Sequence, residues 1–358
     1  MGVGLTVVNA LSEYFKMISY REVEKTTHIV EYSEGKLVRD VVKPNKSGLH
    51  GTTVEFKVSK KYMGDDAYMP IEDVINWIDK LFYLDSDVLS KRKITCKLLV
   101  TNNGTTVSTH KFKPQPYVNL LDQILPANIK KKEMSDLTYF KGEKSFIENS
   151  KVLVEDKKGN NVVQNVDIEK VLHMDIAFKY CIAIDVSNGA TYDTYCNYTN
   201  TIENGVHLDA FDEAYCRYMQ NKINSTMSES QRDKLKVTWD DIRTNLFAVI
   251  NLSTNAQVGF VGNAKRSIGN KDLIPYIKEL VTEGLDKFFE EHPSILDSYI
   301  KIIKINAKAR LEAQRAKTAT VKDKINTFSE HLLPNYIRCN NTGKQWKELD
   351  DNGSLLCK

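Results

Sequence analysis

At about 150 residues per domain, a chain of 358 residues has room for roughly two domains, each able to bury a core of its own. Lys and Arg number 50 against 47 Asp and Glu, and the resulting net charge of +3 neither selects nor excludes a nucleic-acid partner. Hydrophobic residues at 41% and charged residues at 27% exclude wholesale disorder.

No stretch approaches the run of about 18 apolar residues that a membrane helix needs. The N-terminus also lacks the basic region and apolar block of a signal peptide. A cytoplasmic protein without membrane contact is the expectation. Six cysteines (Cys96, Cys181, Cys196, Cys216, Cys339 and Cys357) form no CxxC pair and have no His at zinc-finger spacing, so reduced thiols are expected rather than disulfides or metal ligands.

In chain order, Met1-Gly2-Val3-Gly4-Leu5 runs into a helical pattern through Val8, Leu11 and Phe15, which sets two glycines at a helix start. Ile18 to Arg21, Thr27 to Tyr32 and Thr52 to Val58 alternate as strands, with turn signals at Glu34-Gly35 and around Ser47-Gly48. Ile71, Val74, Ile75, Ile78, Leu81 and Phe82 fall at helical spacing, and Lys93 to Val100 returns to strand alternation before Asn103-Gly104. From Pro114 to Leu172 the pattern weakens among prolines and lysine runs, which predicts a boundary.

A second mixed unit follows, with strands around Ile176 to Val186, Tyr192 to Tyr198 and Phe247 to Leu252, and a helix presenting Leu208, Phe211, Ala214, Tyr215, Tyr218 and Met219 on one face. Helical signal is strongest from Asp272 to Lys317, broken by Pro293, and the segment from Lys304 to Lys317 is basic and Ala-rich. The predicted division is 1–125, a linker or insertion at 126–172, 173–317, and a polar tail at 318–358.

Three segments could carry chemistry. Gly2-Val3-Gly4 at a helix start would form a nest of N–H groups for a phosphate, although from these three residues alone a frayed terminus is the simpler reading. Gly259 to Asn270 holds Lys265 and Arg266 among three glycines, and such a loop can bring an ammonium against a terminal phosphate; without context a solvated surface loop is the simpler reading. Glu203 and His207 sit in a polar turn at a helix entrance, where capping is preferred to acid-base chemistry. Asp240-Asp241-Ile242-Arg243 reads as a local ion pair.

Taken together, these segments resemble the ATPase subunit of type II DNA topoisomerases, the gyrase B and topoisomerase IV family, which includes phage-encoded large subunits. Gly2-Val3-Gly4-Leu5-Thr6-Val7-Val8-Asn9-Ala10-Leu11-Ser12 is similar to the family's glycine box and the helix that follows it. Gly51-Thr52-Thr53-Val54-Glu55-Phe56 resembles the Gly-Thr-x-Val-x-Phe strand. Tyr198 to Ile202 with Gly205 and His207 resembles the Asn-Asn-Ile…Gly-Gly-Thr-His turn. Asp241-Ile242-Arg243 with Leu246 and Ala248 resembles the Asp-x-Arg strand entry. Asn263-Ala264-Lys265 falls where the family has Gln-Thr-Lys, and only the lysine matches. Ala307 to Lys317 and Leu333-Pro334 with Cys339 resemble the approach to the TOPRIM domain.

The resemblance implies an α+β fold: the C-terminal part of a GHKL (Bergerat) ATPase layer, then a transducer domain of ribosomal protein S5 domain 2-like fold. It implies ATP as ligand, with Gly2, Val3, Gly4, Gly51, Thr52, Asn263 and Lys265 as binding residues and Lys265 as the cation at the γ-phosphate. It implies double-stranded DNA as a partner, with Lys304, Lys308, Arg310 and Arg315 at its phosphates, a solvated helix face being an equal alternative.

The family's catalytic glutamate and Mg2+-binding asparagine lie upstream of the glycine box, and its TOPRIM and cleavage motifs lie downstream. The expectation is therefore that this chain alone does not hydrolyse ATP. An N-terminal ATPase half supplying the Mg2+ ligands, and TOPRIM and cleavage chains, would complete a dimeric assembly. A MutL-like repair protein, an Hsp90-like chaperone and a non-catalytic DNA-binding or scaffolding remnant are the alternatives.

Overall fold

The computed structural model describes residues 3–46, 48–64, 70–102, 104–127, 129–155, 161–182, 189–262 and 265–332. The chain divides into two compact units, 1–77 and 78–358. The first opens with α1 (Val3–Ala10), which ends sooner than its apolar spacing suggests, because Ser12 already begins a strand. The Ser12 hydroxyl donates to the Val8 carbonyl at 2.6 Å and so closes the helix end.

Strands β1 (Ser12–Arg21), β2 (Thr26–Ser33), β3 (Lys36–Pro44) and β4 (Gly51–Val58) form an antiparallel sheet in the order β3-β2-β1-β4. Only Phe15 and Val30 are buried apolar residues of this sheet among those described. Val42, Val54, Phe56 and Val58 stay exposed, and β4 is an edge strand. Helix α2 (Lys60–Met63) follows, and the unit boundary falls within α3 (Ile71–Leu84).

In the second unit, α4 (Ser86–Lys91), the hairpin of β5 (Cys96–Asn102) and β6 (Thr105–Phe112), and α5 (Leu121–Ile124) precede a five-stranded sheet. Its strands are β7 (Thr138–Glu155), β8 (Asn161–Tyr180), β9 (Thr191–Cys196), β10 (Thr199–Asn200) and β11 (Leu246–Thr254), in the order β10-β9-β11-β8-β7. Strand β9 pairs parallel to β11, and the crossover between them is α6 (Val206–Ser225), α7 (Glu229–Leu235) and α8 (Trp239–Arg243). A small hairpin, β12 (Phe260–Val261) and β13 (Ser267–Ile268), leads to α9 (Ile274–Glu291) and α10 (Pro293–Leu332).

Most of the stretch 126–172, expected as a linker or insertion, belongs to the hairpin of β7 and β8, paired in register from Thr138↔Phe178 to Glu155↔Asn161. Residues at even positions of β7 face inward, and these include Gly142 and Lys144 beside Phe140 and Phe146, which hides the alternation. Lys144 is accommodated there by Glu279 at 2.7 Å and Glu283 at 3.2 Å, both on α9. The observed unit boundary also lies well before residue 125.

The main core is one sheet face, with Leu172, Met174, Ile176 and Phe178 of β8 and Ala248, Ile250 and Leu252 of β11 packed on α6, α9 and α10. The opposite face covers Ala177, Phe247 and Val249 with Tyr117, Leu120 and Leu121. The fully buried Tyr180 and Tyr299 are satisfied: the Tyr180 hydroxyl donates to the Ile242 carbonyl at 2.6 Å and the Tyr299 hydroxyl to the Asp136 carbonyl at 2.8 Å. Cys96, Cys181, Cys196 and Cys216 are free thiols, and burial pushes the last two up to about 12, far from the reactive thiolate range. Cys339, Cys357 and the Leu333-Pro334 segment lie outside the described residues. Among the described residues no helix is long and apolar enough to cross a membrane.

Helix α9 seats on β7 through two reciprocal notches. Gly142 leaves room for Leu280, where an added Cβ would lie 2.5 Å from Leu280 Cδ2, and Gly284 leaves room for Phe140, where it would lie 2.4 Å from the ring. Gly284→Ala is expected to destabilise the unit by about 1–3 kcal/mol, because overpacking of a buried ring outweighs the gain in helix propensity. A lower urea midpoint with unchanged slope is the result to look for.

Candidate functional site

The hairpin of β12 and β13 presents Lys265. Its base is closed by Asn270, whose Oδ1 accepts from the Gly259 N–H at 2.5 Å and whose Nδ2 donates to the Gln257 carbonyl at 3.1 Å. The Gly269 N–H donates back to the Gly259 carbonyl at 2.9 Å. Of the three glycines, Gly262 has a positive φ (+72°), and Lys265 itself turns into the left-handed region at φ +54°. Lys265 is exposed, its ammonium lies 5.4 Å from the centre of the Phe260 ring, and among the described residues no carboxylate is paired with it. Asn263 lies outside the described residues.

The hairpin leans on the turn that opens α6. Arg266 Nη1 donates to Glu203 Oε1 at 3.1 Å, and the Glu203 N–H donates to the Arg266 carbonyl at 3.0 Å. Gly205, at φ +140°, bridges to Ile268, and a Cβ there would meet the Ile268 nitrogen at 2.5 Å. Glycine is required here by the close approach as well as by the dihedral angle.

Two residues on, His207 is fully buried. Its Nε2 lies 3.2 Å from Thr201 Oγ1, its Nδ1 has no partner among the described residues, and burial lowers its pKa to about 4. Glu203 and His207 are therefore engaged with different partners and form no acid-base pair.

The Asp240–Arg243 segment is more than a local ion pair. Arg243 pairs chiefly with Asp212 of α6, with Nε at 3.0 Å from both carboxylate oxygens, and more loosely with Asp240 at 3.4 Å. Asp241 is almost fully buried. It accepts from the Thr238 N–H at 2.8 Å, which caps α8, and receives a two-pronged contact from Arg310 at 2.7 and 3.0 Å.

Arg310 also donates to the Lys236 carbonyl at 3.0 Å, so its guanidinium is spent inside the protein, and the Asp241 contact raises its pKa. This separates Arg310 from the basic row expected of α10. At about 100° per residue it is turned roughly 200° away from Lys308.

The remaining cations of that row do come together. Lys304, Lys308 and Arg315 line one side of a groove of about 370 Å³, facing Gln231, Lys234 and Leu235 of α7, and Lys304 Nζ donates to Thr226 Oγ1 at 3.0 Å. Lys234 was not among the cations expected from the sequence, because only the packing of α7 against α10 brings it there.

In the first unit, α1 begins at Val3. Gly4 has open space where a Cβ would stand, and Gly2 lies outside the described residues. Gly51 (φ +122°) and Thr52 pair with Tyr20 and Ser19, at the end of β1 opposite to Ser12, where α1 joins. There they line a shallow depression with Glu22, Glu24 and His50. Among the described residues no cluster of three His, Cys, Asp or Glu side chains is arranged to hold a metal ion.

The order of elements, an antiparallel layer followed by a sheet whose parallel pair is crossed by α6, has solved counterparts. The 43K ATPase domain of Thermus thermophilus gyrase B superposes with a TM-score of 0.55 at 23% identity, over 89% of this chain and 75% of that one. The ATP-binding domain of topoisomerase IV from Francisella tularensis gives 0.58 at 18%, over 87% and 73%. The chain thus shares the α+β fold of these gyrase B and topoisomerase IV domains over the part that it covers.

A sequence profile of the DNA gyrase B family matches residues 123–319, more than half of the chain, and the chain belongs to that family. It is 24% identical to the DNA gyrase B protein of Treponema denticola over 324 residues and 26% identical to that of Mycoplasma genitalium over 322. Each match covers 89% of this chain and 44% of the relative, so the chain spans less than half the length of these relatives.

The buried histidine sets a pH dependence. In the unfolded chain it binds a proton below its ordinary pKa of 6.5, whereas in the folded protein it stays neutral down to about 4. Stability is therefore complete above about pH 6.5 and is lost as the pH falls toward 4, by about 3 kcal/mol for this group. Urea unfolding at pH 7.5 and pH 4.5 should show this loss, and His207→Gln should flatten it whatever its effect at neutral pH.

Proposed function

We propose that this chain is the nucleotide-responsive part of an ATP-driven type II DNA topoisomerase, coupling the binding and hydrolysis of ATP to DNA strand passage in the cytoplasm. The observation that carries this reading is Lys265: an exposed ammonium at the tip of a braced hairpin, at the position where the family carries the lysine of its Gln-Thr-Lys loop. When bound, ATP supplies the phosphoanhydride whose cleavage drives the cycle.

The N–H groups at the start of α1, around Val3 and Gly4, would receive phosphate oxygens, and the open space beside Gly4 leaves them accessible. Thr52 and Gly51 would contribute from β4, and Lys265 would balance charge on the terminal phosphate. No described cluster suits Mg2+, so no step is assigned to the metal. The exposed apolar row Val54, Phe56 and Val58 on the edge strand fits a layer completed by a further polypeptide segment, as expected for a dimeric topoisomerase assembly with TOPRIM and cleavage regions.

Lys304, Lys308, Arg315 and Lys234 form the proposed contact with duplex DNA, a phosphate contact without base recognition. In the intact ATP-hydrolysing protein or complex that contains this chain, Lys265→Ala should lower ATP turnover by about 10²-fold or more, as removal of a charge-stabilising donor does elsewhere. Wild-type turnover by that variant would reject the role.

For DNA, Lys308→Ala and Arg315→Ala should each reduce the slope of log affinity against log salt by about 1. Arg310→Ala should instead lower unfolding stability by about 3 kcal/mol, because it leaves Asp241 buried without its partner.

A further inference from the structure

Arg266, next to Lys265 in the chain, is held twice by a single residue. Its guanidinium meets the Glu203 carboxylate at 3.1 Å, and its carbonyl accepts the Glu203 N–H at 3.0 Å. Two residues further along each strand of this contact, Gly205 and Ile268 form the β-bridge that leaves no room for a Cβ. The brace therefore runs from the lysine-bearing tip to Gly205, the residue that precedes α6.

Neither charged side chain serves the core, since Arg266 is 54% and Glu203 58% exposed. An ion pair so open to water adds little to folding. Its effect falls on the neighbouring residue: holding Arg266 by its side chain and by the carbonyl of its peptide to residue 267 anchors the chain directly after Lys265 and narrows the arc through which the Lys265 ammonium can sweep.

We propose that Glu203 and Arg266 are positioning residues for Lys265, holding the hairpin tip so that the ammonium is presented at one place rather than searching for it. The proposal rests on the reading of Lys265 as the terminal-phosphate cation. Ordering a reacting group before the ligand arrives removes an entropic part of the barrier, so the loss on breaking the pair appears in turnover.

The test has two arms. In the intact ATP-hydrolysing protein or complex, at low salt, Glu203→Ala and Arg266→Ala should each lower kcat about two- to fivefold, the range expected of an exposed ion pair. The charge-reversed double variant, Glu203→Arg with Arg266→Glu, should recover most of that loss. On this chain by itself, amide hydrogen exchange in segments 201–205 and 266–270 should quicken in Arg266→Ala and slow again in the reversed pair.

If both single variants keep the wild-type rate while Lys265→Ala is impaired, the positioning role is wrong and the reading of Lys265 stands. If the reversed pair performs no better than the singles, or exchange does not change, the pair does not hold the tip and the proposal fails. If Lys265→Ala itself turns over normally, the reading falls and the proposal with it.

Discussion

Strand β11 is the constraint from which the second unit is built. Its first seven residues, Leu246 to Leu252, are buried on both faces. Even-numbered side chains enter the core with α6, α9 and α10, while Phe247 and Val249 enter the smaller core with Tyr117 and Leu121. A strand covered on both faces cannot slip by one residue without exchanging its two sets of side chains, so its register is strongly determined. Because β11 lies parallel to β9, the chain between them must cross over, and α6 to α8 do so. The turn at the entrance of α6 and the hairpin that follows Thr254 therefore approach each other as consequences of one strand's position.

Much of this was legible in the sequence where one periodicity dominates. The stripe of α6, the strand Phe247 to Leu252 and the long helical stretch broken at Pro293 all have side chains whose burial follows their spacing. Strand β7 was not legible, because its inward face alternates apolar residues with a notch glycine and with Lys144, whose charge is matched only by glutamates about 140 residues away. Lys265 was recognisable from composition and motif. Its brace to Glu203 was not, since residues 203 and 266 are separated by the whole crossover. The early end of α1 is a similar case: apolar spacing continues through Leu11 and Phe15, but Phe15 satisfies the alternation of β1 instead.

The basic segment of α10 shows why a charge run in sequence overstates a charged face. Arg310 lies among the expected cations, yet Asp241 is 2% exposed and its charge requires a partner that brings hydrogen bonds as well as opposite sign. Arginine answers with two parallel contacts, which also tie α10 to the cap of α8. Lys304, Lys308 and Arg315 are four and seven residues apart, a spacing that keeps them on one stripe. The same helix thus carries a structural cation on one side and a solvent-facing cationic groove on another.

The brace at Glu203 and Gly205 also determines what can move. Helix α6 buries eleven residues, from Val206 through Ile223, and a close-packed interior resists displacement of such an element. The hairpin base is held in turn by Asn270. With both ends fixed, the freedom that remains to Lys265 is above all that of its flexible four-carbon stem. Its resting place over Phe260 is a weak cation–π contact, worth about 0.5–1 kcal/mol at an exposed site, and a charge-assisted contact with a phosphate outweighs it. In the proposed role, a lysine held in this way would meet a phosphate by extending its side chain from a braced hairpin, and the contacts of Arg266 and Ile268 would link that event to the turn that opens α6.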